Sequence, residues 1–137
     1  MKKVLHVGCG SETIKNSTKI FETDEWSEVR LDIDENILPP PDIISDIRDL
    51  SEIPESSYDA IYSSHNFEHL FAHEVEPTLN GFYRVLKEDG EVFIACPDLQ
   101  GVAKHIVDGN LTEPIYESPA GPIAPIDVIY GHRPALK

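Results

Sequence analysis

Val4-Leu5-His6-Val7-Gly8-Cys9-Gly10 is a short, largely apolar run closed by two glycines that flank a cysteine. Such a run, without polar alternation, is what a strand buried on both faces of a parallel sheet presents. Glycine then lets the backbone turn sharply and brings bare N–H groups close to a ligand without Cβ interference. A G-x-G turn by itself suits a plain loop as well as a ligand site, so its meaning depends on the other strand ends.

Outward from this stretch, strands and helices alternate. Residues 11–26 carry Ile14, Ile20, Phe21 and Trp26 at roughly helical intervals and predict a helix, one that Asn16, Ser17 and Thr18 weaken. Glu28-Val29-Arg30-Leu31-Asp32-Ile33-Asp34 alternates apolar with polar and is broken by Pro39, Pro40 and Pro41, which predicts a second strand. Asp42-Ile43-Ile44-Ser45-Asp46 predicts a brief third strand, Tyr58-Asp59-Ala60-Ile61-Tyr62-Ser63-Ser64 a buried fourth, and Val92-Phe93-Ile94-Ala95-Cys96 a fifth. Val75, Leu79, Phe82 and Leu86 form one apolar stripe of a helix with Pro77 in its first turn, Lys87 in its last and Gly90 just beyond. This order implies right-handed crossovers and an open, parallel α/β sheet with ligands beyond the carboxyl ends of its strands. Residues 99–107 predict a further helix, whereas residues 111–137 hold Pro114, Pro119, Pro122, Pro125 and Pro134 and read as an irregular lid or interface segment.

Composition narrows the function. With 137 residues, 40% of them hydrophobic, the chain is expected to be a single domain, 1–137, with a real core. A net charge of −14 repels a phosphate backbone, so no nucleic acid is expected as partner. The widely separated Cys9 and Cys96 suit a reducing cytoplasm, and no apolar stretch is long enough to imply a membrane partner.

Asp32 ends the second strand, where an adenosine's ribose hydroxyls need a bidentate acceptor; Asp34 takes the role if the register slips, and a solvated strand-end acid is the plain alternative. Asp46 ends the third strand and is placed to accept from an adenine amino group while the Ile47 N–H faces a ring nitrogen, or else to serve as a turn residue. Thr13 stands where a dinucleotide motif needs its third glycine, which argues for an adenosine ligand without a pyrophosphate.

Leu5-His6-Val7-Gly8-Cys9-Gly10, Arg30-Leu31-Asp32-Ile33-Asp34, Ser63-Ser64-His65-Asn66-Phe67-Glu68-His69-Leu70 and Arg84-Val85-Leu86-Lys87-Glu88-Asp89-Gly90 resemble, in order and spacing, the motifs of class I methyltransferases. The resemblance spans about residues 4–100 and is closest to bacterial methyltransferase-domain proteins with S-H-x-x-E-H-L after the fourth strand. It implies a Rossmann-like, open and mostly parallel sheet with helices on both faces, five strands with the family's usual last two missing, and S-adenosyl-L-methionine as cofactor. By residue matching it implies a cofactor set of His6, Gly8, Cys9, Gly10, Asp32, Ile33, Asp46, Ile47, Ser64 and His65, with His65 or Glu68 as the base or orienting group for the acceptor. His6 stands where many members of the wider family carry Asp or Glu, so the cofactor amino group lacks a customary partner. The implied activity is methyl transfer to a small-molecule or protein acceptor. The missing strands imply either a truncated chain or an open edge closed by a homodimer or another partner chain.

Two other readings are carried forward. One is a cofactor-binding module or subunit without catalysis. The other is a zinc hydrolase, since His65-Asn66-Phe67-Glu68-His69 fits H-x-x-E-H and His73 continues the same face. The methyltransferase reading expects no metal. Cys96-Pro97-Asp98 lacks the order of a thiol-nucleophile motif and reads as a small buried residue beside a strand end. Tyr116, Tyr130, His132 and Arg133 reach the acceptor only if the tail folds over the strand ends.

Overall fold

The computed structural model describes residues 1–132; Arg133, one of the tail residues expected to reach the acceptor if the tail folds over the strand ends, lies outside them. The chain divides into two compact units, Met1–Cys96 and a second from Pro97 onward, where one domain was expected.

The first unit is a five-stranded sheet in the order β3-β2-β1-β4-β5, with every neighbouring pair parallel. Its strands are β1 (Lys2–Val7), β2 (Trp26–Asp32), β3 (Ile43–Ile44), β4 (Tyr58–Ser64) and β5 (Leu86–Ala95). Helices α1 (Ile14–Ser17) and α2 (Ala72–Val85) complete it, with a 3-10 turn at Phe67–His69. This is the open parallel α/β architecture expected from the alternation of strand and helix signals.

Period two in β1 and β4 divides the core into two layers. Leu5, Val7 and Ile61 pack with Leu31, Phe82 and Val85 on the α2 side, while Val4, Ala60 and Tyr62 pack with Ile14 and Phe21 on the α1 side. The register sets Val7 level with Leu31 and Ser63, Leu31 level with Ile43, and Ser63 level with Ile94. Gly8, Asp32 and Ser64 therefore leave the sheet at one height, and that row builds the candidate site.

Three local expectations need correction. The helix over residues 11–26 is only α1: Ser17 Oγ donates to the Thr13 carbonyl (3.0 Å) and Thr18 Oγ1 accepts from the Ile20 N–H (3.3 Å), so short polar side chains compete with helix propagation. Ile14 and Phe21 are buried all the same, and Trp26 opens β2. α2 begins earlier than expected, where Glu74 Oε2 accepts from the Phe71 N–H (2.9 Å), so Pro77 falls inside the helix. Its core face is Thr78, Phe82 and Val85, with Leu79 40% exposed. Thr78 is tolerated there because its hydroxyl donates to the Glu74 carbonyl (2.8 Å), so the stripe was misread at a polar residue whose bond is satisfied within the helix. Lastly, Leu86 starts β5, and Lys87 and Gly90 belong to that strand. Tyr58 pairs with Leu86 and Ala60 with Glu91, so residues 87–90 bulge opposite Asp59, which Lys87 Nζ contacts at 2.8 Å.

Gly81 in α2 has only Leu50 Cγ within reach of an added Cβ, at 4.0 Å. Gly81→Ala is expected to raise stability by about 0.5–1 kcal/mol through helix propensity and lost unfolded-state freedom, read as a higher urea midpoint at unchanged m.

In the second unit, α3 (Leu99–Val107) matches its expected span, and the Asp98 carboxylate accepts from the Gly101 N–H (3.1 Å) at its N-cap. The tail read as irregular instead forms an antiparallel hairpin, β6 (Tyr116–Ser118) with β7 (Gly121–Ile123), and then α4 (Pro125–Tyr130). Strands this short show no period, although Pro125 at the start of α4 and Asp127, whose Oδ2 accepts from the Ala124 N–H (2.9 Å), are helix-start signals.

Candidate functional site

Gly8 and Gly10 both adopt the left-handed region, at φ 60° and 53°. Gly8 has a second reason to be glycine. A Cβ there would lie 2.1 Å from Asn66 Oδ1, and Asn66 Nδ2 is fixed by donating to the Val7 carbonyl (3.1 Å), Ser63 Oγ (3.2 Å) and the Ser64 carbonyl (3.0 Å). Asn66 thus joins the ends of β1 and β4. The Gly10 N–H donates to Asp32 Oδ2 at 2.8 Å, which ties the loop to β2.

A cleft of about 240 Å³ opens at these strand ends, lined by Gly8, Asp32, Ile33, Ser45, Asp46, Ile47, Arg48, Asn66, His69 and Leu70. Five of the sequence-predicted cofactor residues, Gly8, Asp32, Ile33, Asp46 and Ile47, share this one surface. Asp32 Oδ1 also accepts from the Asp34 N–H (3.0 Å), whereas Asp34 turns to Asn36 and does not line the cleft.

Arg48 and Asn66 were missed from sequence. Arg48 forms a two-pronged pair with Asp46, Nε to Oδ1 at 2.9 Å and Nη2 to Oδ2 at 2.6 Å, and its Nη1 reaches Glu74 Oε1 at 2.6 Å. Hydrogen bonds from Arg48 hold the Asp46 carboxyl below the usual aspartate range; Glu74 is lowered by the Phe71 N–H first and by Arg48 second. The only hint of this bridge is the Asp46-Ile47-Arg48 spacing, because Glu74 joins it through the tertiary fold.

His6, Cys9, Gly10, Ser64, His65 and Glu68 do not line the cleft. His6 is 3% exposed, with Nδ1 at 2.8 Å from Glu28 Oε1 and its ring tilted against Tyr62. Cys9 is buried, and burial pushes its thiol up to about 11, so it stays protonated at neutral pH. Cys96, expected to be buried, is exposed; burial of its sulfur followed by the Glu68 charge raises its thiol. In the native protein at pH 8, iodoacetamide is expected to modify Cys96 at least about tenfold faster than Cys9, since both exposure and thiolate fraction disfavour Cys9. Mass spectrometry of the two peptides gives the rates.

His65 follows β4 with φ 58°, a conformation that costs a side-chain-bearing residue about 1–3 kcal/mol and concentrates at functional positions. Its Nδ1 lies 3.5 Å from Glu68 Oε1, and His69 Nε2 lies 4.0 Å from the same oxygen. The zinc reading needs two histidines one α-turn apart. Here His65 precedes a 3-10 turn, and among the described residues no group of three His, Cys, Asp or Glu is arranged to hold a metal ion.

A family model described as a methyltransferase domain matches residues 5–94. Among solved structures, the chain is similar to PH0226 from Pyrococcus horikoshii OT3, at 20% identity and TM-score 0.62, covering 84% of this chain and 57% of that one. A SAM-dependent methyltransferase from Archaeoglobus fulgidus is similar at 19% identity and TM-score 0.56, covering 85% and 65%. At such identities the likeness is one of fold, and this chain spans less than two thirds of either. No curated protein matches it. Among the described residues no helix is long and apolar enough to cross a membrane.

Proposed function

Since the chain belongs to the methyltransferase domain family, we propose that it binds S-adenosyl-L-methionine, the cofactor of that family, in the cleft at the ends of β1, β2 and β3. The carrying observation is that Gly8, Asp32, Ile33, Asp46 and Ile47, distant in sequence, share one surface. The residues suit that ligand. Asp32 offers a carboxylate to two vicinal hydroxyls, Asp46 and the Ile47 N–H offer an acceptor and a donor to an adenine edge, and Gly8 leaves its backbone bare. When bound, the cofactor supplies an activated methyl on a sulfonium, so the chain's task is alignment.

We place the acceptor, a small molecule or a protein group, beside His65 and Glu68. The strain at His65 and its 3.5 Å approach to Glu68 support that pair as proton acceptor or orienting group. The outer position of β5 in the sheet supports pairing with a second copy or a partner chain.

Thermal unfolding with separate additions of S-adenosylmethionine, S-adenosylhomocysteine, NAD and zinc tests the reading. Either sulfur ligand at about 100 times its dissociation constant is expected to stabilise by about 2.7 kcal/mol, with no shift from NAD. Absence of a shift with both sulfur ligands would sink it. Transfer of a radiolabelled methyl group to an offered acceptor, and its loss in His65→Ala, separates catalysis from binding alone.

A further inference from the structure

Successive same-face residues of β2 reach the glycine loop in series. Glu28 Oε1 accepts from the Ile14 N–H (2.9 Å), and Asp32 Oδ2 accepts from the Gly10 N–H (2.8 Å). Between them stands Arg30, a cation only 6% exposed. Its Nη2 donates to the Gly10 carbonyl at 2.6 Å, and its Nη1 donates to the carbonyls of Pro39 (2.5 Å) and Pro40 (2.8 Å). The Arg30 backbone is held as well, since its N–H donates to Asp42 Oδ2 (2.8 Å) and its carbonyl accepts from the Asp42 N–H (2.8 Å).

Burying a guanidinium is costly unless its donors are satisfied. Here the two terminal nitrogens are satisfied by carbonyls of two loops that border the cleft, the one after β1 and the one between β2 and β3, while the buried Nε has no hydrogen-bond partner among the described residues. Gly10 is held at both its N–H and its C=O by residues two apart on one strand. A planar fork is required, because a lysine ammonium is a compact point charge and does not reproduce the fork's reach to carbonyls in two loops.

We propose that Arg30 is a positioning residue for the cofactor: it locks the Gly10 peptide, and the loop through Pro39 and Pro40 with it, in the arrangement that presents Gly8 and Asp32 to the ligand. This rests on the cofactor reading above. A loop already ordered spares the ligand the cost of ordering it, so the effect belongs to affinity.

The test uses Arg30→Lys, which keeps the charge, alongside Arg30→Met; where the methionine variant fails to fold, the lysine variant carries the experiment. Hydrogen–deuterium exchange of the ligand-free proteins is expected to quicken about tenfold or more in residues 8–14 and 36–42, with the peptide spanning β4 unchanged. Calorimetry is expected to show S-adenosylhomocysteine binding weakened about tenfold in Arg30→Lys. Uniform quickening through β1, β2 and β4 would mean a merely structural role and overturn the proposal. Wild-type exchange in both loops with affinity within about twofold would overturn it equally. If the wild-type protein binds neither sulfur ligand, the cofactor reading fails, and with it the positioning role; the exchange data still report whether the loops are locked.

Discussion

Replacing Gly8 by alanine is expected to destabilise the first unit by about 2–5 kcal/mol and to remove measurable cofactor binding. Two costs add. A Cβ at φ 60° costs about 1–2 kcal/mol in the left-handed region, and forcing it against the Asn66 amide at 2.1 Å is over-packing worth about 1–3 kcal/mol. Asn66 has no cheap retreat, because moving its amide breaks the bonds to Val7, Ser63 and Ser64. Urea unfolding of Gly8→Ala, Asn66→Ala and the double variant checks this. The double variant is expected to be more stable than the sum of the single losses implies, by at least about 0.5 kcal/mol, since Asn66→Ala removes the clash but not the strain.

Asp32→Asn is expected to weaken S-adenosylhomocysteine binding about 10- to 150-fold, the worth of one charged hydrogen bond at about 1.5–3 kcal/mol. The charge is lost, and one acceptor oxygen becomes an NH2 where Asp32 now accepts from both the Gly10 and Asp34 N–H groups. Asp34→Asn is the matched control. The Asp34 carboxylate accepts from Asn36 two residues on and stands outside the cleft, so the variant's affinity is expected to stay within about twofold of wild type. Calorimetry on the two variants tests the choice of Asp32 over Asp34 that the sequence left open.

The parts of the fold legible in sequence are those where burial is carried by apolar runs. β1 and β4 were readable because Val4–Val7 and Ala60–Tyr62 are buried on both faces, leaving no ambiguity of period. Where polar side chains act through their own hydrogen bonds, the reading failed: buried Thr78 on α2, and, outside the core, the exposed Ser17 and half-buried Thr18 whose bonds end α1. The site divides the same way. Strand-end residues such as Gly8, Asp32 and Asp46 follow from local order, because in a parallel sheet the carboxyl ends share one side. Arg48 and Asn66 matter through partners 26 and 59 residues away, Glu74 and the Val7 carbonyl, and no local pattern encodes such pairings. His65 was singled out by motif, but its left-handed backbone is only weakly signalled, since histidine is enriched in that region yet seldom adopts it.

The central claim is that one cleft at the ends of β1, β2 and β3 holds S-adenosylmethionine. The most direct test is a titration of the 15N-labelled protein with S-adenosylhomocysteine followed by amide NMR. The account predicts saturable shifts concentrated at Gly8, Cys9, Gly10, Ile33, Ile47 and Arg48, with the N-terminal halves of β1 and β4 unmoved. Shifts confined to other parts of the chain, or none at millimolar ligand, would contradict it.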